Sequence, residues 1–219
     1  MSPAFTVTVA IGGRRIAFAR LMTRLTRASR VAGGLLAPVG NGVRVTVGNG
    51  YNSPPKGAVP LATCNIGIIG HDHCRNQRFA LDLYPDATWN RKILAPASGT
   101  VSFIDTTPAA GPCVLITMSD GNNVTICHFA AQSAIQVAVK QKVARGDVLG
   151  TSGTDWIHMN VDYRPKNTRT CTGGWIPDTA YFCPVAFTGS DAFEGQDLVP
   201  DGSTNQLFGP FVSSNASYP

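Results

Sequence analysis

The sequence predicts a mostly β protein, built on an antiparallel sheet or sandwich core with irregular N- and C-terminal extensions. Three observations predict this class. Only 14% of the 219 residues are charged, and 23 glycines and 15 prolines supply turns along the chain. Apolar and polar residues alternate in short runs, which is the period of a strand. Two such runs flank Ser119–Asn122 (SDGN), a strong hairpin signal. Apolar residues make up 43% of the chain, which is enough for a sizeable core.

The N-terminal part is expected to be a basic arm and linker, residues 1–57. Residues 1–71 carry eight Lys or Arg and no Asp or Glu, whereas residues 72–219 carry ten basic and thirteen acidic residues. Residues 14–30 predict an arginine-rich amphipathic helix. Such an arm suits a protein partner or an anionic surface, and no aromatic residues alternate with the arginines as a specific nucleic-acid site would require.

The main β domain is predicted over residues 58–165. In the run 78–84, Phe79, Leu81 and Leu83 share one face, and Asp82 lies on the other. Short runs of this kind at regular spacing favour an antiparallel sheet. Strands or strand edges are predicted at 5–10, 43–48, 78–84, 93–96, 99–104, 113–118, 123–129, 137–139, 147–149 and 157–163.

The C-terminal part, residues 166–219, is expected to be an irregular extension fixed by a disulfide. Its end, from Asp201 onward, is rich in Gly, Ser and Asn. We expect this tail to be extended or bound to a protein partner.

Six cysteines fall as three successive pairs, and no two of them are spaced as CxxC. Cys113 and Cys127 are equidistant from the hairpin turn, so they should lie opposite each other within reach of a disulfide. We therefore predict the bridges 64–74, 113–127 and 171–183. Disulfides indicate a secreted or extracytoplasmic protein. No clear signal peptide is predicted, because arginines interrupt each apolar stretch, and no transmembrane segment is expected.

The stretch 146–163 (GDVLGTSGTDWIHMNVDY) is the most informative part of the chain. Its second half alternates, so His158, Asn160 and Asp162 share a polar face backed by an apolar one. The other titratable candidates are the three remaining histidines, His71, His73 and His128, with Asp82. Two histidines and a carboxylate brought together by a sheet are donors that suit zinc with a bound water.

Five blocks in order, LDLY, ILAPASGTV, ICHF, VKQKVARGDVLGTSG and IHMNVDY, resemble the lysostaphin/LytM-type zinc metalloendopeptidases. The similarity covers roughly residues 64–163. It implies a β-sheet enzyme that cleaves peptide cross-links of bacterial peptidoglycan. Asp82 matches the family's aspartate ligand of zinc. His128 matches the histidine that supports the transition state, and His158 matches the first, catalytic histidine of His-x-His.

Two positions depart from the family pattern. Arg78 stands where the first block would carry a histidine ligand; in the β-lytic protease branch that ligand lies farther upstream, so His71 is the candidate and His73 the second choice. Asn160 replaces the second histidine of His-x-His, which binds zinc. The predicted metal set is therefore His71, Asp82 and Asn160, with zinc as the cofactor of a degenerate site.

Several alternatives stay open. Asp82 could instead pair with Arg78 or Arg91, and His128 with His158 could form a hydrogen-bonded pair in a cleft without metal. The similarity then implies either a structural or binding module at a cell surface or in an assembly, or an active zinc-dependent peptidoglycan endopeptidase. Partners would be cell-wall peptide, or proteins bound through the basic arm or the C-terminal tail.

Overall fold

The computed structural model describes two compact units, Met1–Gly33 and Gly34–Pro219. The structure describes residues 8–11, 14–17, 34–51, 78–106, 111–163, 183–201, 203 and 205–216. In the first unit, strand β1 (Thr8–Ile11) pairs antiparallel with strand β2 (Arg14–Ala17). The helix predicted from residue 14 is therefore wrong at its start, because backbone pairing with β1 replaces helical hydrogen bonding there. The rest of that prediction lies outside the described residues.

The second unit is built on antiparallel strands, which confirms the predicted class. Its strands are β3 (Arg44–Asn49), β4 (Leu81–Pro85), β5 (Lys92–Leu94), β6 (Gly99–Asp105), β7 (Cys113–Thr117), β8 (Asn123–Cys127), β9 (Lys142–Val143), β10 (Val148–Thr151), β11 (Ile157–Tyr163), β12 (Cys183–Val185) and β13 (Phe211–Val212). The described strands of the main sheet run in the order β13-β3-β4-β11-β8-β7-β6-β9, and β12 also pairs with β11. Strands β5 and β10 form a separate pair.

One face of the main sheet is the hydrophobic core. Leu81, Met159, Ile126 and Val114 lie opposite one another on four neighbouring strands, and each is fully buried. Because side chains alternate along a strand, the residues between them face the other side of the sheet. This second face carries the candidate site.

The hairpin of β7 and β8 confirms the disulfide predicted from its symmetry. Cys113 and Cys127 are directly opposite and bonded to each other. Cys183 is also disulfide-bonded. Cys64, Cys74 and Cys171, which complete the other two predicted bridges, lie outside the described residues.

The C-terminal end of the second unit is more regular than the sequence predicts, and the predicted strand at 43–48 is part of the main sheet. Strand β3 pairs with β4, although the predicted boundaries place it in the N-terminal arm, and β13 pairs with β3. Ser213 and Asn215 are buried just beyond β13, so this part of the tail packs on the sheet. It supplies hydrogen bonds and apolar surface to the edge of the sheet. The domain boundaries 1–57, 58–165 and 166–219 stay a prediction. No helix in the described ranges is long and apolar enough to cross a membrane.

Candidate functional site

The candidate site lies on the polar face of the sheet, across β3, β4, β11 and β8. His158 on β11 lies opposite Asp82 on β4 and opposite Cys127 on β8. Asn49 on β3 lies opposite Asp82. Directly paired residues of neighbouring strands point to the same face, so these side chains form one row across the sheet. The predicted meeting of Asp82 with the histidine of β11 is therefore realised by strand register.

Asp82 and His158 form a buried hydrogen-bonded pair. The Nδ1 atom of His158 lies 3.0 Å from Oδ1 of Asp82, and the two residues are only 8% and 3% exposed. An ionised carboxylate only accepts hydrogen bonds, so Nδ1 of the imidazole is the donor of this contact when Asp82 is ionised. Arg91, one of the alternative partners of Asp82, instead pairs with Asp155.

Asn49 is the site residue that the sequence reasoning missed. Its Nδ2 donates a 2.8 Å hydrogen bond to Oδ2 of Asp82, so both carboxylate oxygens have partners on the site face. The available signal was Gly48, since a glycine inside an alternating run indicates a bulge that can redirect the next side chain.

His128 is brought close to His158 by the backbone after β8. Its φ is 76°, a left-handed conformation that turns the chain as it leaves the strand. The ring centroids of the two histidines are 6.4 Å apart and the rings are nearly perpendicular. The His128 ring also packs on Trp156, at 3.8 Å between centroids.

Asn160 occupies the next position along the polar face of β11. Its Nδ2 lies 3.3 Å from Oδ2 of Asp162, to which it donates. Asn123 donates to the other oxygen of Asp162, which fixes the carboxylate between two amides. Asn160 is 3% exposed, and its Oδ1 has no hydrogen-bond partner among the residues that the structure describes. The residue thus keeps a buried acceptor, but its amide is committed to Asp162.

Two aromatic side chains border the row of Asn49, Asp82 and His158 on the side opposite Asn160. The rings of Tyr84 and Trp156 stack with centroids 6.0 Å apart and planes 15° from parallel. The Tyr84 ring lies against Gly48, where any Cβ would overlap the ring. Burial raises the pKa of Tyr84, and the neighbouring charge of Asp82 raises it further.

The described residues do not match the donor set of a zinc site. His71 and His73 lie outside them, so the predicted set contributes the Asp82 carboxylate and the Asn160 amide oxygen. Across the described part of the chain, no three His, Cys, Asp or Glu side chains come close enough to share a metal ion. Zinc sites in proteins use thiolate, imidazole and carboxylate donors, and an amide oxygen is a poor substitute.

Comparisons with known proteins point to one family. The sequence model described as "Peptidase family M23" matches residues 81–166. No curated protein matches the chain.

Solved structures with a similar fold include cbpa from L. salivarius REN, at 17% identity over 69% of this chain and 91% of that chain, with a TM-score of 0.44. The SpoIIQ–SpoIIIAH pore-forming complex matches at 18% identity over 71% and 95%, with a TM-score of 0.38. A zinc-containing peptidase from Vibrio cholerae matches at 17% identity over 71% and 43%, with a TM-score of 0.40. The matched residues 81–166 include strands β4 to β11 of this unit, so this part of the chain is similar to peptidase family M23.

Proposed function

We propose that this M23 domain is a structural or binding module outside the cytoplasm, with an impaired zinc site. The observation that carries the proposal is Asn160, which stands where the family has a histidine ligand and gives its amide to Asp162. Asp82, the family's carboxylate ligand, is held by Asn49 and His158. If His71 binds the metal as proposed, Asp82 would therefore be the one other strong ligand in the proposed set.

The buried disulfide of the β7–β8 hairpin supports the proposed extracytoplasmic location, since such bridges persist in oxidising compartments. The basic arm is the better candidate for reaching a protein partner, because the part of the C-terminal tail at 211–215 already packs on the sheet. Eight basic and no acidic residues in 1–71 favour an acidic partner surface or an anionic cell wall.

One specific observation favours the second candidate, an active zinc-dependent peptidoglycan endopeptidase. Asp82, His128 and His158 remain together on one face, and the two imidazoles are 6.4 Å apart between centroids. In that function His158 would accept a proton from the attacking water and His128 would stabilise the developing charge. The zinc would polarise the scissile carbonyl when bound.

Metal content and wall cleavage of the purified full chain separate the two candidates. We expect substoichiometric zinc by mass spectrometry, no lysis of cell walls, and sedimentation of the chain with isolated peptidoglycan or with an acidic protein partner. Stoichiometric zinc together with lysis that stops on adding chelator contradicts the proposal and establishes the peptidase.

Asn160→His tests whether Asn160 is the cause of the impaired zinc binding. An imidazole restores the family's donor at this position, so we expect zinc to bind at least about tenfold more tightly by calorimetry, the scale on which metal-site residues act. Asn41→His adds a histidine on the exposed loop before β3 and is the control, with no change expected. Equal zinc binding by the two variants contradicts the assignment of the defect to residue 160.

A further inference from the structure

Strand β3 enters the site through a bulge. Val45 and Val47 both point into the core, and simple alternation would direct the side chain of residue 49 to the core as well. The register shifts between Val47 and Asn49, so Asn49 lies opposite Asp82 on the polar face. A bulge of this kind re-aims one side chain without ending the strand pairing. Gly48 permits it, because the Tyr84 ring occupies the space where a side chain at 48 would lie.

The redirected amide completes a chain of three side chains. Asn49 Nδ2 donates to Oδ2 of Asp82 at 2.8 Å, and Oδ1 of the same carboxylate lies 3.0 Å from Nδ1 of His158. A carboxylate that is 3% exposed has lost most of its hydration and depends on such donors. With one oxygen fixed by the amide, the carboxylate plane is set, and the other oxygen is aimed at the imidazole.

We propose that Asn49 is a positioning residue of this site, whose amide holds the Asp82 carboxylate in the orientation that receives Nδ1–H of His158. Asn49 lies outside residues 81–166 that match the family model, so this contact comes from the segment that precedes the matched residues. The inference deepens the proposed function and rests on it in one respect, namely that Asp82 is not engaged by zinc.

The wild-type chain provides the first measurement. With ¹⁵N-labelled histidine and the signal assigned through His158→Gln, we expect His158 to carry its proton on Nδ1 and that proton to be protected from solvent exchange. The Asn49 side-chain amide protons should likewise exchange more slowly than those of the exposed Asn41. A His158 protonated only on Nε2, or Asn49 amide protons that exchange as fast as those of Asn41, overturns the proposal.

The variants supply the second measurement. Asn49→Ala removes the donor, and Asn49→Asp keeps the shape of the side chain but replaces the donor by an acceptor that repels Asp82. In both we expect the His158 Nδ1 proton to exchange roughly tenfold faster or more, the scale of one lost hydrogen bond to a charged group. Asn41→Ala is the matched control and should leave the rate unchanged.

Exchange rates in Asn49→Ala and Asn49→Asp that equal those of Asn41→Ala contradict the inference. Asn49→Asp preserves packing volume, so it remains informative if Asn49→Ala folds poorly. Zinc is measured in the same wild-type sample. Stoichiometric zinc defeats the proposed function, whereas a metal-free sample with unaffected His158 exchange defeats the positioning role of Asn49 alone.

Discussion

Asp191 is a buried carboxylate in the short 3₁₀ turn Gly189–Asp191. Burial raises its pKa, the amide of Asn122 at 2.8 Å partly offsets this rise, and the charge of Asp120 adds to it. The unfolded chain therefore releases this proton at a lower pH than the folded protein. Stability is lost as the pH rises from about 4 through the folded pKa.

We predict that Asp191→Asn becomes more stable than the wild type as the pH increases from 3 to 7, because the amide has no proton to lose. Urea unfolding at a series of pH values measures the difference. Asp201 is the control, because hydrogen bonds from Ser203 lower its pKa. The effect of its substitution on stability should therefore have the opposite sign. Asp201→Asn should lose stability relative to the wild type above about pH 4 and match it below the folded pKa. A common sign for both variants contradicts the assignment.

At the scale of elements, the pairing of β3 with β4 depends on a glycine. The Tyr84 ring lies over Gly48, where a Cβ would overlap it, and this ring in turn stacks on Trp156. A methyl group at 48 must therefore push the half-exposed tyrosine aside rather than move backbone. The Tyr84–Trp156 stack and the bulge at Gly48 therefore pack directly against each other.

We predict that Gly48→Ala costs about 1–3 kcal/mol of unfolding free energy in the wild type, the usual range for overpacking. In a Tyr84→Ala background the same change should cost almost nothing, because the overlapping atoms are gone. A double-mutant cycle by urea unfolding measures this coupling. Additive effects of the two substitutions would show that the ring does not set the requirement for glycine.

At the scale of the whole molecule, the C-terminal tail closes the second unit. Phe211 on β13 is 2% exposed and packs edge to face on Phe193, with centroids 4.9 Å apart. Four residues later, the Asn215 amide donates to the carbonyl oxygens of Ala37 and Ala95. The tail therefore links Ala37, near the start of this unit, to Ala95, which directly follows strand β5 of the separate β5–β10 pair.

We predict that Phe211→Ala destabilises the chain by about 3–5 kcal/mol, as expected for a large buried ring. Val212 is the adjacent control, because it is 62% exposed, and Val212→Ala should change stability by no more than about 0.5 kcal/mol. Thermal and urea unfolding report both values. Similar small losses for the two variants would mean that β13 contributes little to the unit.

The strands and the hairpin disulfide could be read from the sequence because their causes are local. The turn SDGN places Cys113 opposite Cys127, and alternation alone separates His158 from the apolar face of β11. The predicted helix after residue 14 was wrong where β2 forms, and the predicted strand at 78–84 begins only at Leu81. In both places pairing with another strand, rather than local propensity, decides the backbone.

By itself the sequence determined the fold class, because this follows from alternation and turn chemistry. The order of its motifs, which resembles that of family M23, singled out Asp82, His128, His158 and Asn160 as candidates. Only the tertiary structure decided what those side chains touch. Asn49 reaches Asp82 across 33 positions of chain, through a bulge and a register that no local pattern specifies. The partners of a buried polar group depend on which strands become neighbours, and that choice is made by the packing of the whole sheet.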